Sequence, residues 1–336
     1  MSVFEAMFIL LLSFLLDLLL GDPAYHYHPI RMMGRTISQL EEGLRKHGWH
    51  GRPAGILLVV LTAVFVLLPY LFLHTLLYHV HPWVAVIFNV FICYSCLALG
   101  DLFHHIRPVL RSLEAEDYHE ARRCVAMIVG RDVSALDAAA LGRAAVETMA
   151  ENFVDGFLSP VFWFSFGVSL SLFINTTAIN AGIIFMLLFK VVSTLDSMVG
   201  YKNVKYIRFG WAGAFMDDIM NFIPARLSLP CLFLGALITG PDPVRGFKVA
   251  IRDRLKHDSP NAAHAESFMA GALGIRLGGP TRYPDGLKEK PWLGNGNPNP
   301  GVKAINRTKN NLLASAWVSV FASLCLFLFI YYVKAS

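Results

Sequence analysis

The 336-residue sequence predicts an all-α, polytopic integral membrane protein. Three observations carry that prediction. Hydrophobic residues make up 55% of the chain and charged residues 16%, with a mean hydropathy of +0.51, too apolar for an ordinary soluble domain. Several apolar runs reach the roughly 20 residues that a bilayer crossing needs, which suggests about five to seven membrane helices. The remaining polar residues gather into blocks. We expect a single membrane domain over 1–336, with an amphipathic loop at 22–53, a helical block at 104–156 and a loop block at 240–311, all facing the cytoplasm.

The elements follow in order. Val3 to Leu20 is almost wholly apolar and ends in GDPAYHYHP rather than a small-residue cleavage site, so it reads as an uncleaved first membrane helix. Gly21 and Pro23 end it, leaving Asp17, Asp22, His28 and Arg31 near the membrane surface. His26 and His28 form an HxH without a carboxylate-rich or Cys-rich partner motif, so interfacial hydrogen bonding is the expectation there. Thr36 to His47 alternates apolar and charged residues at helical spacing and predicts an amphipathic surface helix.

Ala54 to Val80 and Trp83 to Phe103 are each long enough to cross a bilayer, and so few residues join them that they predict a tight hairpin. Both flanks of that hairpin are basic, with Arg31, Arg35, Arg45, Lys46 and Arg52 before it and Arg107, Arg111, Arg122, Arg123, Arg131 and Arg143 after it. The positive-inside rule then makes the shared side cytoplasmic. Within the next polar block, Ser112 to Ile128 and Ser134 to Phe153 read as helices. Ser159 to Leu195 predicts a second hairpin turning at Asn175, Thr176 and Thr177.

Ile219 to Thr239 is apolar but carries Pro224, Arg226 and Pro230, which suggests a re-entrant or broken helix. Ser259 followed by Pro260 has the form of a helix start. Pro280 to Pro300, rich in Gly, Pro and Asn, reads as an irregular loop, and Leu312 to Val333 as a final membrane helix. No internal repeat is evident.

A formal charge of +5 and a pI near 8.9 suit an anionic leaflet and anionic substrates, with no need for nucleic acid. The five cysteines are odd in number and scattered, so no disulfide framework is implied, and the Cys93–Cys96 pair reads as packing. The chain has no GxxxxGK[ST], HExxH or GxSxG, and no GxGxxG after a strand.

Charge is concentrated in Lys190 to Arg226. Asp217, Asp218 and Asn221 stand three and four residues apart, so on a helix their oxygens can converge in a way that suits Mg²⁺ carrying phosphate. Asp196, Tyr201, Lys202, Lys205, Arg208 and Arg226 surround them in sequence, and the cations there would attract phosphate. An ion-paired surface helix would gather the same residues. Arg143, Glu147, Glu151 and Asp155 recur every four residues with Asn152 beside them, an acidic surplus that a metal, an amine or a base role would explain. A solvated helix face with one ion pair explains it too. Asn261 and Glu266, beyond the Ser259–Pro260 start, are further candidates to face a ligand.

Long motifs in one order carry a resemblance. They are GDP with HPIRMMG in 21–34, GRDVSALD and RAAVETMAENFVDGFLSP in 130–160, STLDSMVGYKN with FGWAGAFMDD in 193–218, and NFIPARL in 221–227. SPNAAHAESFMAGALGIRLGGP in 259–280 and PWLG in 291–294 complete the series. Nearly end to end, the chain resembles the membrane-bound adenosylcobinamide-phosphate synthase family of cobalamin biosynthesis.

The resemblance implies an amide-forming ligase of the cytoplasmic (inner) membrane. It would join the free propionate of adenosylcobyric acid to aminopropanol phosphate, or a related amino alcohol, using ATP and Mg²⁺. On that expectation we assign Asp217, Asp218 and Asn221 to Mg²⁺ and the ATP phosphates. Lys202, Arg208 and Arg276 would hold phosphate groups, and Glu147, Glu151 or Asp155 would orient or deprotonate the amine. Asp196 would support Lys202, while His28, Arg31, Asn152, Arg226, Asn261 and Glu266 complete the substrate-binding set. Membrane lipid and other enzymes of the pathway are the expected partners. Two other readings stand beside this one: a membrane prenyl or phosphoalcohol transferase with a DDxxN-like Mg²⁺ site, and a non-catalytic corrinoid transporter or scaffold.

Overall fold

The structure, a computed structural model, describes residues 3–23, 25–130, 132–174, 176–283 and 286–335. Arg131 and Asn175 lie outside the described residues. In chain order the helices are α1 (Val3–Leu20), α2 (Pro29–Lys46), α3 (Arg52–Val80), α4 (Pro82–Cys96), α5 (Leu99–Glu114) and α6 (Tyr118–Ala126). There follow α7 (Ala138–Phe153), a π-helical turn (Val154–Leu158), α8 (Ser159–Leu170), α9 (Ala178–Val199), α10 (Trp211–Thr239), α11 (Pro243–Asp253) and α12 (Ala263–Leu273). Four short strands, β1 (Leu277–Gly278), β2 (Thr281–Tyr283), β3 (Gly286–Lys288) and β4 (Trp292–Leu293), precede α13 (Val302–Ala335).

Among the described residues, seven helical stretches are long and apolar enough to cross a membrane, so the chain is an all-α, multi-pass membrane protein. Its outward surfaces agree. On α3, Phe65, Leu68 and Phe72 are each more than half exposed, as lipid contact allows and water would not.

Local chemistry sets the helix starts. Asp117, Asp137, Thr177 and Asp242 each accept a hydrogen bond from the backbone N–H three residues on, capping α6, α7, α9 and α11. The predicted Thr36–His47 helix starts earlier, at Pro29, because proline suits a first turn that has no donor to lose. The predicted Ser134–Phe153 helix begins instead at Ala138, after the Asp137 cap. The Ser112–Ile128 stretch divides, with α5 ending at Glu114 and α6 starting at Tyr118. Leu97 takes an extended conformation and separates α4 from α5 within the predicted Trp83–Phe103 span.

Four further expectations are corrected. The prolines of 219–239 neither break nor turn back the helix: α10 runs unbroken for 29 residues. Pro224 has no N–H for the Met220 carbonyl, and the Trp163 indole donates to that carbonyl instead, at 3.1 Å. Ser259 does not cap a helix, since α12 begins at Ala263; the Ser259 hydroxyl accepts from the Asn261 N–H inside a turn. The 280–300 stretch is not an irregular loop throughout: β2 pairs antiparallel with β3 inside it, and its β4 pairs antiparallel with β1, which precedes it. The last helix also starts ten residues earlier than expected, at Val302.

The chain forms two compact units. The first holds residues up to 98, 159–220 and those from 320 on. Here α9 packs against α8 and also touches α1, α2, α3 and α4. Met33, Ile37, Leu58, Val191, Leu195 and Phe209 form a buried core. Gly167 lets α8 approach so closely that a Cβ there would strike the Ala181 carbonyl of α9. The Ser165 and Ser323 hydroxyls, 3.0 Å apart, join α8 to α13.

The second unit holds 99–158 and 221–319. In it α7 is packed among α5, α6, α12 and β1, and α11 lies along α12. A Cβ on Gly271 would come 2.7 Å from both the Arg245 carbonyl and Val249, so the α11–α12 contact depends on a missing side chain.

Candidate active site

α7 supplies one wall of a cleft in the second unit. Glu147, Thr148, Glu151 and Asn152 fall on one side of this helix through their three- and four-residue spacing, and all four line the cavity. The chain leaving α11 adds Lys256, His257 and Asp258, and α12 adds Glu266. Gly278 of β1 and the 289–291 segment with Leu293 close the other side, around a volume of about 240 Å³.

The cleft is strongly charged. Its lining includes five carboxylate residues, Glu147, Glu151, Asp258, Glu266 and Glu289, and two lysines, Lys256 and Lys290, with His257 among them. That surplus of negative charge draws cations, while the lysines offer two places for an anion. Glu147 is fixed in place: its Oε1 accepts the Gly278 N–H at 2.6 Å. Gly278 has φ +73, and a Cβ there would lie 2.6 Å from the Pro291 carbonyl, so glycine is required at this point of the wall. Glu266 is 5% exposed, whereas Glu151 stands open to solvent.

Asp253, fully buried at the end of α11, organises the rim. Its carboxylate accepts from Arg252 Nε at 2.8 Å and Nη2 at 2.6 Å, and from the Gly294 N–H at 2.8 Å. Lys256 Nζ stands 2.7 Å away. Burial alone would raise the Asp253 pKa, but the bonds from Arg252, Lys256 and Gly294 outweigh it and hold the carboxyl well below the usual carboxylate range. Asp253 therefore joins α11, the β4 turn and a cleft lysine. His257 Nδ1 accepts the Ser259 N–H at 3.0 Å, which orients its ring. Deeper in the unit, His264 is 1% exposed, with Nδ1 3.1 Å from the Asn261 carbonyl. Burial, and the positive charge of Arg226, push its pKa down and favour a neutral ring.

Of the residues singled out in the sequence, Glu147, Glu151, Asn152 and Glu266 come together in this cleft. Asp155 does not line it, because it lies in the π-helical turn after α7. Asn261 is 6% exposed in the turn before α12. The Arg276 guanidinium lies 5.4 Å from the Trp292 ring centre and donates to the Gly296 carbonyl. Arg143, on the same ring at 5.6 Å, donates to the Pro298 carbonyl. Arg226 donates to the Phe222 carbonyl on its own helix.

The first unit gathers another set. Asp218 and Lys202 are each near enough to Asp196 to act on its charge. α10 carries Asp217, Asp218 and Asn221 within one turn, Asp217 and Asp218 in the first unit and the 1% exposed Asn221 in the second. Arg208 is exposed after α9, and Arg31 is exposed on α2. His28, 2% exposed, places Nε2 2.8 Å from Asp22 Oδ1 and so secures the loop after α1. Among the described residues, no three His, Cys, Asp or Glu side chains are gathered closely enough to chelate an ion.

The sequence reading missed Lys256, His257, Asp258, Glu289 and Lys290. A lysine, histidine and aspartate in direct succession just before SPNAAH was the available signal, but nothing local ties them to a helix over 100 residues earlier.

Comparison with known proteins places the chain. The family described as CobD/Cbib protein matches residues 10–312. The chain is 41% identical over 286 residues to a cobalamin biosynthesis protein CobD of Pelobacter propionicus, covering 85% of this chain and 84% of that one. It is 37% identical over 324 residues to the CobD of Klebsiella pneumoniae, covering 95% and 96%. To the cobalamin biosynthesis protein CbiB of Salmonella typhimurium it is 35% identical over 319 residues, covering 94% of each. No solved structure matches it.

Proposed function

Because the chain belongs to the CobD/CbiB family of cobalamin biosynthesis proteins, we propose that it is an adenosylcobinamide-phosphate synthase. In this reading it is an ATP- and Mg²⁺-dependent ligase that forms an amide between adenosylcobyric acid and aminopropanol phosphate or a related amino alcohol. The observation that supports the reading best is the cleft, whose lining brings together Glu147, Glu151, Lys256 and Lys290.

A carboxylate becomes an acyl donor only when one of its oxygens is turned into a leaving group, and phosphorylation by ATP does this. The incoming amine must then lose a proton. Glu151, open to solvent, accepts that proton, while Glu147, held by Gly278, orients the ammonium group. Lys256 and Lys290 bind the phosphate of the amino alcohol, with Lys256 set in place by Asp253.

Mg²⁺ needs few protein ligands, since it usually keeps water and phosphate oxygens. Its place is with Asp217 and Asp218, helped by Asn221, or with the cleft carboxylates, where it would neutralise ATP phosphate charge. Asp196 supports Lys202. With Arg208, Arg226 and Arg276, Lys202 supplies further phosphate contacts, and His28, Arg31, Asn152 and Asn261 complete the substrate set.

By the positive-inside rule, the basic flanks of the first hairpin support a reading in which the polar segments lie on the cytoplasmic face of the inner membrane. Attachment there would keep a bulky corrinoid near the enzymes acting before and after.

Oxygen labelling tests the chemistry. With ¹⁸O in the free propionate, one labelled oxygen should appear in the phosphate released from ATP. Amide formation with unlabelled phosphate would remove the acyl-phosphate step.

A further inference from the structure

α11 presents two different sides. Gly246, Val249, Ala250 and Asp253 are buried on the side packed against α12. On the opposite side Val244, Phe247, Ile251 and Leu255 are 53%, 42%, 46% and 71% exposed. Their spacing of three, four and four residues lines them into one stripe along the helix and the turn that follows. Arg245, Lys248 and Arg252 flank the stripe on one side and Arg254 on the other. Arg252 is engaged by Asp253, whereas Lys248 and Arg245 lie at the exposed surface.

The position of this helix in the unit is informative. α10, one of the membrane-spanning stretches, ends at Thr239 with Leu234, Leu237 and Ile238 exposed, and α11 begins at Pro243. The Phe247 ring meets Phe233 of α10 edge-on, with centres 6.4 Å apart. The stripe thus continues the apolar surface of α10 at the end of its span. A surface that is apolar along its middle and cationic along its edge fits a bilayer interface, which offers acyl chains and phosphate groups side by side.

We propose that α11 lies in the plane of the membrane interface, its stripe at the acyl boundary and Arg245 and Lys248 on the headgroup phosphates of anionic phospholipids. This rests on the fold and the charge pattern, and not on the ligase reading. It has a consequence for the cleft, because the chain leaving α11 becomes the Lys256–Asp258 wall. Lipid engagement would steady that wall.

Photocrosslinking tests it directly. The full chain carrying Phe247→p-benzoylphenylalanine, and separately Ile251→p-benzoylphenylalanine, is placed in nanodiscs of phosphatidylcholine with a minor fraction of phosphatidylglycerol. It is then irradiated and analysed by mass spectrometry. Lipid adducts are expected at both positions, with phosphatidylglycerol enriched roughly fivefold over its bulk fraction. Arg245→Gln with Lys248→Gln should return the ratio toward bulk. Adducts to a second copy of the chain, or no lipid adduct at either position, would overturn the proposal. Unchanged enrichment in the double variant would overturn the assignment to Arg245 and Lys248.

Discussion

Lys256 Nζ lies 2.7 Å from Asp253 Oδ1, so a fully buried carboxylate at the end of α11 holds a lysine at the rim of the cleft. The same carboxylate accepts the Gly294 N–H, which makes Asp253 the shared anchor of two cleft walls. Asp253→Asn should leave Arg252 and Lys256 without their counter-charge. About 2 kcal/mol of stability should be lost, less than for a pair with both partners buried because both cations are partly exposed. Thermal unfolding in detergent measures this.

The depressed Asp253 pKa also gives a pH dependence. Above its ordinary unfolded value, about 4, the folded state gains from the ionised carboxylate. As pH falls below that value toward the lower folded pKa, the unfolded chain takes up the proton first and the gain is lost. The parent should therefore lose stability on the acid side more steeply than Asp253→Asn, and parallel acid limbs would contradict the assignment.

Glu151→Gln tests the proposed base. Amide formation should fall about a hundredfold, with loss of the acidic limb of its pH profile. Glu147→Gln should be milder, because its amide oxygen still accepts the Gly278 N–H. An unchanged rate and profile in Glu151→Gln would remove the base role.

Asp218→Asn tests where Mg²⁺ belongs. The expectation is loss of turnover with membrane insertion intact, and any residual activity should need more Mg²⁺. Near-normal turnover at ordinary Mg²⁺ would move the ion to the cleft carboxylates.

Trp163→Phe should cost about 1 kcal/mol, the typical value of one hydrogen bond, because the Met220 carbonyl loses its donor. In a Pro224→Ala background the backbone N–H restored at that position could reach the same carbonyl, so the penalty should shrink. A double-mutant cycle measures the difference.

Several membrane helices were legible because long apolar runs leave few alternatives: α1 matches its expected ends, and α3 packs on α4 and α8 on α9, as the two expected hairpins require. The 138–170 stretch, also long and apolar enough to cross, was not, because its α7 half reads as part of a polar block. Half of the cleft was legible too, since Glu147 and Glu151 advertise themselves by helical spacing. The other half was not. Lys256 and Lys290 reach it through the α11–α12 packing and the β1–β4 pair, which join segments distant in sequence. α10 was misread for a related reason, because the group that relieves Pro224 is a tryptophan 61 residues earlier in the chain. Ser259 looked like a cap, yet its hydroxyl serves a tight turn, a choice that local sequence leaves open.

Everything proposed for the cleft turns on ATP-dependent amide formation by this chain. Its most direct test uses the purified, detergent-solubilised protein with adenosylcobyric acid, aminopropanol phosphate, ATP and Mg²⁺, each omitted in turn, with mass spectrometry of the corrinoid. ADP, phosphate and a corrinoid of the amide mass should appear only when all four are present. A bound corrinoid of unchanged mass in the complete mixture, with ATP intact, would contradict it.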